Sequence, residues 1–313
     1  MREAQSADQT ESSNASLGVI SPADGSRQGS DFIINNLPSD QLSDGSGSRR
    51  FTFLGSGNST RYALALILLV AVVLRIYGIN WDQGGLFHPD ERAFLSQVYN
   101  LQFPEGDEWS KLTDPQASTL NPGSFNWGSL PHYALKAVQY AVAPYKWMSM
   151  FDLRYAGRAL SAISDLATIF LIFQIGRSVF SARVGLLAAL LSAFAVQQIQ
   201  LSHFFAVDTF MTTFIVGTIY YSIRIAEHGR KRDSVLAGVM FAFAVATKFS
   251  VLPLAVALIL AHLIYATSRK GDRYESDGIG SGSAASRQWT AYQNIVLMGV
   301  VALAVLIVVQ PYM

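Results

Sequence analysis

Residues 62–79 read YALALILLVAVVLRIYGI and are almost entirely apolar. As an α-helix, a stretch of this length rises roughly 27 Å, which is about the thickness of the hydrocarbon layer of a bilayer. Backbone polar groups in lipid must be hydrogen-bonded within the segment, so the stretch predicts a membrane-spanning helix and not a strand. Its one charge, Arg75, is near the end of the run, and we expect this side chain to extend to the polar surface.

Six further apolar runs follow, at residues 158–175, 184–201, 210–225, 235–247, 252–267 and 295–309. The composition agrees with a membrane protein, because 50% of the 313 residues are apolar and 14% are charged, whereas about a quarter are charged in a soluble domain. A shorter mixed run at residues 130–144 predicts a helix that lies along the membrane surface. The predicted fold is an all-α polytopic membrane protein with about seven transmembrane helices.

Residues 1–61 have a different composition, rich in Ser, Gly, Asp and Asn, with no hydrophobic period. Such a segment cannot bury enough apolar surface to offset the entropy of ordering, so it predicts a disordered cytoplasmic tail. It begins with polar residues and lacks the early apolar core of a signal peptide. Residues 62–313 form the predicted transmembrane domain, which we expect to be truncated after Met313, because the chain ends where the seventh run ends.

Basic residues indicate the orientation of the chain. They crowd the segments before the first run and after the second, fourth and sixth runs: Arg49, Arg50 and Arg61; Arg177 and Arg183; Arg224, Arg230, Lys231 and Arg232; Arg269, Lys270, Arg273 and Arg287. With seven spans and a cytoplasmic N-terminus, all four clusters lie in the cytoplasm, as the positive-inside rule expects. Residues 80–152 then form a long first extracytoplasmic loop. Connections have a median of about 4–6 residues, so this loop is expected to carry function.

The loop opens with a candidate catalytic motif, Pro89-Asp90-Glu91. The apolar positions that follow fall on one helical face, which predicts a surface helix with the acids on its wet side. Two adjacent carboxylates beside a bilayer could serve as a general base and as its supporting group or metal ligand. The same residues also fit an ordinary helix start, where proline and acids are favoured. The residues alone leave both interpretations open.

Other ionisable residues fall at the outer ends of the predicted spans. Asp208 is a functional candidate, because an ionised group costs roughly 2.5–3.5 kcal/mol at the bilayer centre, although it also fits a simple helix cap. Lys248 and Arg158 could each bind a lipid phosphate or extend to water. His132, within the long loop, is a weaker candidate.

The order of these features resembles the phospholipid-carrier-dependent glycosyltransferases, which include protein O-mannosyltransferases and bacterial aminoarabinose transferases of lipid A and have the C-type glycosyltransferase fold. The resemblance covers about residues 64–312. It depends on a first span, a long outer loop that opens with Pro-Asp-Glu, a span entered through Arg158-Ala-Leu-Ser-Ala, the stretch GRSVFSARVGLLAA at residues 176–189, Asp208, and Thr247-Lys248.

The resemblance implies roles for individual residues. Asp90 matches the essential first-loop acid, Glu91 its usual neighbour and Asp208 the second outer acid. Lys248 matches a lysine that recurs in the family after a threonine. Relatives often have a Lys or His with prolines later in the loop, where this chain reads NWGSLPH at residues 126–132. His132, Arg158 and Lys248 therefore remain rival ligands of the carrier phosphate.

The predicted function is an inverting transfer of a hexose or pentose from a polyprenyl-phosphate carrier to a hydroxyl or phosphate of a protein, lipid or glycan. The site is expected at the outer face of the cell membrane, with Asp90 as base. Asp90, Glu91 and Asp208 are also the candidate ligands of a divalent metal ion. The alternatives are a transporter or lipid flippase, which would place polar groups near the membrane midplane, and a structural membrane subunit. A net charge of +1 and the lack of basic blocks give no indication of a nucleic-acid partner.

Overall fold

The computed structural model describes residues 57–123, 127–268 and 284–312. Residues 1–56 of the expected tail, Asn126 and most of the last basic cluster lie outside this part of the chain. The described residues form helices and no strand. The α-helices are α1 (Gly57–Ile76), α2 (Pro89–Asn100), α3 (Leu130–Val142), α4 (Met150–Val179), α5 (Ala182–Ala193), α6 (Val196–Ser202), α7 (Val207–His228), α8 (Lys231–Val245), α9 (Ala255–Thr267) and α10 (Ala284–Val309), with 3₁₀ helices at Gly106–Lys111 and Phe249–Leu254.

The all-helical membrane class is confirmed, but the count of seven spans is not. Within the described residues, four helical segments are long and apolar enough to cross a membrane: Asn58–Ile76, Met150–Val179, Phe249–Thr267 and Ala284–Val309. A fifth span results if α5 and α6, which meet at an angle of 58°, are counted as one bent span. The predicted runs at 210–225 and 235–247 correspond to α7 and α8. Neither helix is both long enough and apolar enough to count as a candidate span.

Two glycines allow α4 and α5 to pack closely. A Cβ atom on Gly176 would lie 2.7 Å from the Cα of Gly185, and one on Gly185 would lie 2.6 Å from the carbonyl oxygen of Phe173. The turn between the helices is short, and the Ser181 side chain accepts the backbone N–H of Val184 to cap α5. The motif at residues 176–189 is therefore a tight helical hairpin.

Arg75 is fully buried, so the expectation that it extends to the membrane surface is wrong. Its guanidinium pairs with Asp165, in the middle of α4. It also donates to the backbone carbonyls of Ala71 (3.2 Å) and Ala193 (3.1 Å). Ala193 is the last residue of α5, just before the bend into α6. Through these contacts the arginine ties α1 to α4 and to this bend. Its burial is tolerated because a paired buried charge is far less costly than an unpaired one.

The segment between α1 and α4 packs on the ends of several long helices. Gly128 and Leu130 donate their backbone N–H groups to the carbonyls of Thr247 (3.0 Å) and Ala246 (3.2 Å), just after α8. A Cβ atom at position 128 would lie 1.8 Å from the Ala246 carbonyl oxygen, so only glycine permits this approach. The Ser129 N–H donates to the Gln310 side chain, just after α10 (2.9 Å). The segment therefore gathers the ends of α8 and α10 on one side of the molecule.

Candidate functional site

A buried arginine joins two carboxylates at the loop end of α4. Arg158 donates from Nε and Nη2 to the two carboxylate oxygens of Glu91 (2.8 and 2.7 Å). It also donates from Nη1 and Nη2 to the two oxygens of Asp82 (3.1 and 2.7 Å). The three side chains are shielded from solvent. We call Asp82, Glu91 and Arg158 the buried triad.

The remaining hydrogen-bonding capacity of the triad is also used. Asp82 accepts the backbone N–H groups of Gly84 (3.2 Å) and Leu86 (3.0 Å). These bonds hold a turn in which Leu86 adopts a left-handed φ of 48°, uncommon for a residue with a side chain. The hydrogen bonds from Arg158, opposed by burial, hold the pKa of Asp82 at about 2. Asp82 is therefore ionised at neutral pH and anchors the turn that leads into α2.

Glu91 anchors the first turn of α2 from the other side. Besides Arg158, its Oε1 atom accepts the backbone N–H of Phe205 (3.0 Å), which precedes α7. The His88 ring caps α2 by accepting the Glu91 N–H (3.4 Å) and lies 4.5 Å from the Phe204 ring. The start of α2 and the segment before α7 are thus held together.

Asp90 differs sharply from its neighbour Glu91. It lies in the first turn of α2, is half-buried, and has no hydrogen-bond or ion-pair partner within the described ranges. The positive end of the helix dipole favours an anion at this position. A carboxylate with free acceptor oxygens is therefore presented from a turn that the triad holds rigidly.

Asp208 and Lys248 form a loose pair near the same end of the bundle. Asp208 lies in the first turn of α7, and Lys248 caps the 3₁₀ helix Phe249–Leu254. The Lys248 Nζ atom is 3.9 Å from Asp208 Oδ1, and the side chains are 40% and 37% exposed. Such a solvent-accessible pair contributes little to stability, so a ligand could displace it at small cost.

His132 lies in the first turn of α3, on the buried face that packs against α2. Its ring stacks on Phe94 with centroids 4.3 Å apart, and its nitrogens contact the Gln97 side chain (2.7 Å) and the Gly128 carbonyl (3.2 Å). Burial lowers the pKa of His132 to about 4, so the ring is neutral at neutral pH. Of the three predicted phosphate ligands, His132 and Arg158 are fully buried, and the Lys248 side chain is 40% exposed.

Two residues of this region were not among the sequence predictions. Asp82 lies in Trp81-Asp82-Gln83-Gly84-Gly85, where an aspartate before paired glycines is a turn signal. Lys136 lies one helical turn after His132 on the buried face of α3. No local pattern indicates that this lysine is buried, since a lysine at such a spacing is most often exposed.

A comparison with known protein families matches part of the chain. Residues 149–275 match the family model described as dolichyl-phosphate-mannose-protein mannosyltransferase. The matched segment is less than half of the chain; it includes Arg158, Asp208 and Lys248 and leaves out the Pro-Asp-Glu motif. No curated protein and no solved structure matches the chain. The match confirms the resemblance to the phospholipid-carrier-dependent glycosyltransferases over residues 149–275, and the apolar helices support an integral multi-pass membrane protein.

Proposed function

We propose that the protein transfers a hexose from a polyprenyl-phosphate carrier to an acceptor hydroxyl or phosphate at the non-cytoplasmic face of the membrane; the name of the matched family indicates mannose. One observation carries the proposal. Asp90 presents a half-buried carboxylate without a partner among the described residues, on a turn that the buried triad fixes. A general base needs this combination of free oxygens and fixed position.

The proposed reaction is a single displacement. The acceptor O–H gives its proton to the Asp90 carboxylate while its oxygen forms a bond to the sugar C1. The bond between C1 and the phosphate oxygen breaks, and its electron pair leaves with the polyprenyl phosphate. Attack opposite the leaving group inverts the anomeric configuration. Lys248, released from its loose contact with Asp208, stabilises the charge on the leaving phosphate.

We propose that Glu91 takes no part in the predicted metal set of Asp90, Glu91 and Asp208. The Glu91 oxygens already accept hydrogen bonds from Arg158 and from the Phe205 N–H. The described ranges contain no group of three or more His, Cys, Asp or Glu side chains that could hold a metal ion. We therefore assign no step to a metal, and Glu91 acts by positioning the helix start.

The transporter alternative finds no support in the Arg75–Asp165 pair, which is buried between α1 and α4. Arg75 and Asp165 lie within helices that could span the membrane, where a transporter would place its polar groups. Their side chains are 0% and 4% exposed and bind each other. An enclosed, mutually neutralised pair offers no access to a substrate, whereas Asp90, Asp208 and Lys248 are accessible.

The activity is tested with membranes that contain the full-length protein. Given a polyprenyl-phosphate-linked mannose labelled in the sugar, they should transfer the label to endogenous acceptors, and the product should have the inverted anomeric configuration. Membranes without the protein are the control. A labelled product with retained configuration would contradict the single displacement, and no transfer above the control would refute the proposed activity.

The location of the site is tested separately, and the absence of native cysteine makes this simple. Asp107 is exposed in the long loop, and Glu227 is exposed near the C-terminal end of α7. In intact cells, a membrane-impermeant maleimide should label the Asp107→Cys variant and should label the Glu227→Cys variant only after permeabilisation. The reverse pattern would place the loop in the cytoplasm and end the proposal of an outer-face site.

A further inference from the structure

A cavity of about 380 Å³ lies between the long loop and the C-terminal end of α10. Its walls are apolar apart from Tyr133, Lys136 and Tyr312, and Ile307 and Val308 line the side formed by α10. These two α10 residues are 61% and 75% exposed, on a helix that could span the membrane. The cavity therefore adjoins an exposed apolar face of α10.

Lys136, one of the residues that line this cavity, is a buried lysine. The residue is 2% exposed, and its Nζ atom donates to Gln139 Oε1 (2.8 Å). The same atom lies over the rings of Tyr140 (5.4 Å) and Trp147 (5.6 Å). No carboxylate lies within ion-pair distance of Lys136 in the described parts of the chain. Burial lowers the pKa of Lys136, which reflects the same uncompensated charge.

An uncompensated buried ammonium favours an anionic ligand. Neutral partners satisfy only part of the ammonium's donor capacity, and the cost of removing it from water remains. A phosphate oxygen would supply the missing counter-charge in a low-dielectric site, where the attraction is strong. The apolar walls require that the rest of the ligand be hydrocarbon. The matching chemistry is a phosphate attached to an apolar chain.

The cavity is separate from the Asp90 site. Helices α2 and α3 run in the same direction, because Phe94 stacks on His132 and, further along both segments, Phe103 packs on Tyr140. Asp90 is at the start of α2, and Phe103, which follows its end, lines the cavity. About ten residues of helix separate these levels, which corresponds to roughly 15 Å. A phosphate bound at Lys136 is therefore not in position to react at Asp90.

We propose that this cavity binds the phosphate end of a single-chain polyprenyl phosphate, outside the reacting position, as a holding site for the carrier. The volume is near the lower end of the range of about 300–1,000 Å³ for small-ligand pockets, which suits one chain better than the two chains of a diacyl phospholipid. Ile307 and Val308 would guide the chain into the bilayer. The identity of the lipid as the carrier rests on the proposed function; the site itself rests on Lys136 and its cavity.

The proposal is tested by binding of farnesyl phosphate to purified full-length protein in nanodiscs. We expect Lys136→Met to weaken this binding at least tenfold and to leave the weaker binding of farnesol unchanged. Val308→Trp, a change at an exposed position that should not disturb folding, is expected to weaken binding by obstructing the cavity. Lys146→Met is the matched control, because Lys146 lies in the same loop with a side chain that is 69% exposed, and it should bind as the wild type does.

Three results would overturn the proposal: equal binding by the wild type and by both cavity variants, equal binding of farnesol and farnesyl phosphate, or equal competition by phosphatidylglycerol. Asp90→Asn separates this proposal from the proposed function, since it should retain Lys136-dependent binding while losing sugar transfer. Sugar transfer without Lys136-dependent binding would refute the holding site alone. Lys136-dependent binding without any transfer by the wild type would refute the proposed activity alone.

Discussion

Asp90→Asn is expected to lower sugar transfer by about 10²–10⁴-fold, the usual contribution of a general base. The amide has nearly the size of the carboxylate but cannot take up the acceptor proton. Because Asp90 has no partner among the described side chains, the change breaks no contact and should leave folding intact. Transfer from a labelled polyprenyl-phosphate sugar, measured in membranes at matched expression, gives the size of the loss.

The same variant separates catalysis from an ordinary helix start. An acid that only complements the helix dipole contributes about 0.3–1 kcal/mol to stability, so its loss would shift the melting temperature slightly and leave transfer nearly unchanged. Asp107→Asn is the matched control, since Asp107 is an exposed acid in the first turn of the 3₁₀ helix Gly106–Lys111. If the Asp90→Asn variant transfers sugar at the wild-type rate, Asp90 is not the general base.

Arg158→Met is expected to destabilise the protein by about 3–5 kcal/mol, because it leaves the Asp82 and Glu91 carboxylates buried without their partner. At 2–4 °C per kcal/mol, the apparent melting temperature should fall by roughly 10 °C. Transfer should fall as well, since the turn that carries Asp90 loses its anchor. Tryptophan fluorescence of the purified protein during heating measures the stability change.

Two further variants show whether the triad is the cause. Arg177→Met removes an exposed arginine from the last turn of the same helix and should have little effect. Combining Arg158→Met with Asp82→Asn and Glu91→Gln removes all three charges and should recover part of the lost stability, because replacing a whole buried ionic group is often close to neutral. If the Arg158→Met variant has the same apparent melting temperature as the wild type, the triad does not hold this turn.

The adjacent acids illustrate how environment separates chemical roles. Glu91 has an arginine and a backbone N–H on its carboxylate, so its negative charge is used to hold structure. Asp90, one residue earlier, has no such partner among the described residues. Neighbours on a helix are about 100° apart around its axis, so two consecutive acids face different surroundings.

The sequence by itself determined the class of the protein and the start of its key elements. Long apolar runs must form helices because the bilayer supplies no hydrogen bonds to the backbone. Helix α2 begins at Pro89 and α3 at Leu130, as predicted, because starts depend on local signals such as proline in the first turn. The order of motifs also carried the family resemblance, which the match over residues 149–275 supports.

Only the tertiary structure decided which charges meet. Arg158 binds residues 67 and 76 positions away, and Arg75 binds a partner 90 positions away, so the expected extension of Arg75 to the surface was wrong. Helical periodicity relates residues three or four apart and says nothing about the partner that another helix will present. The burial of Lys136 also depends on tertiary structure, because Trp147, beyond the end of α3, covers its ammonium together with Tyr140.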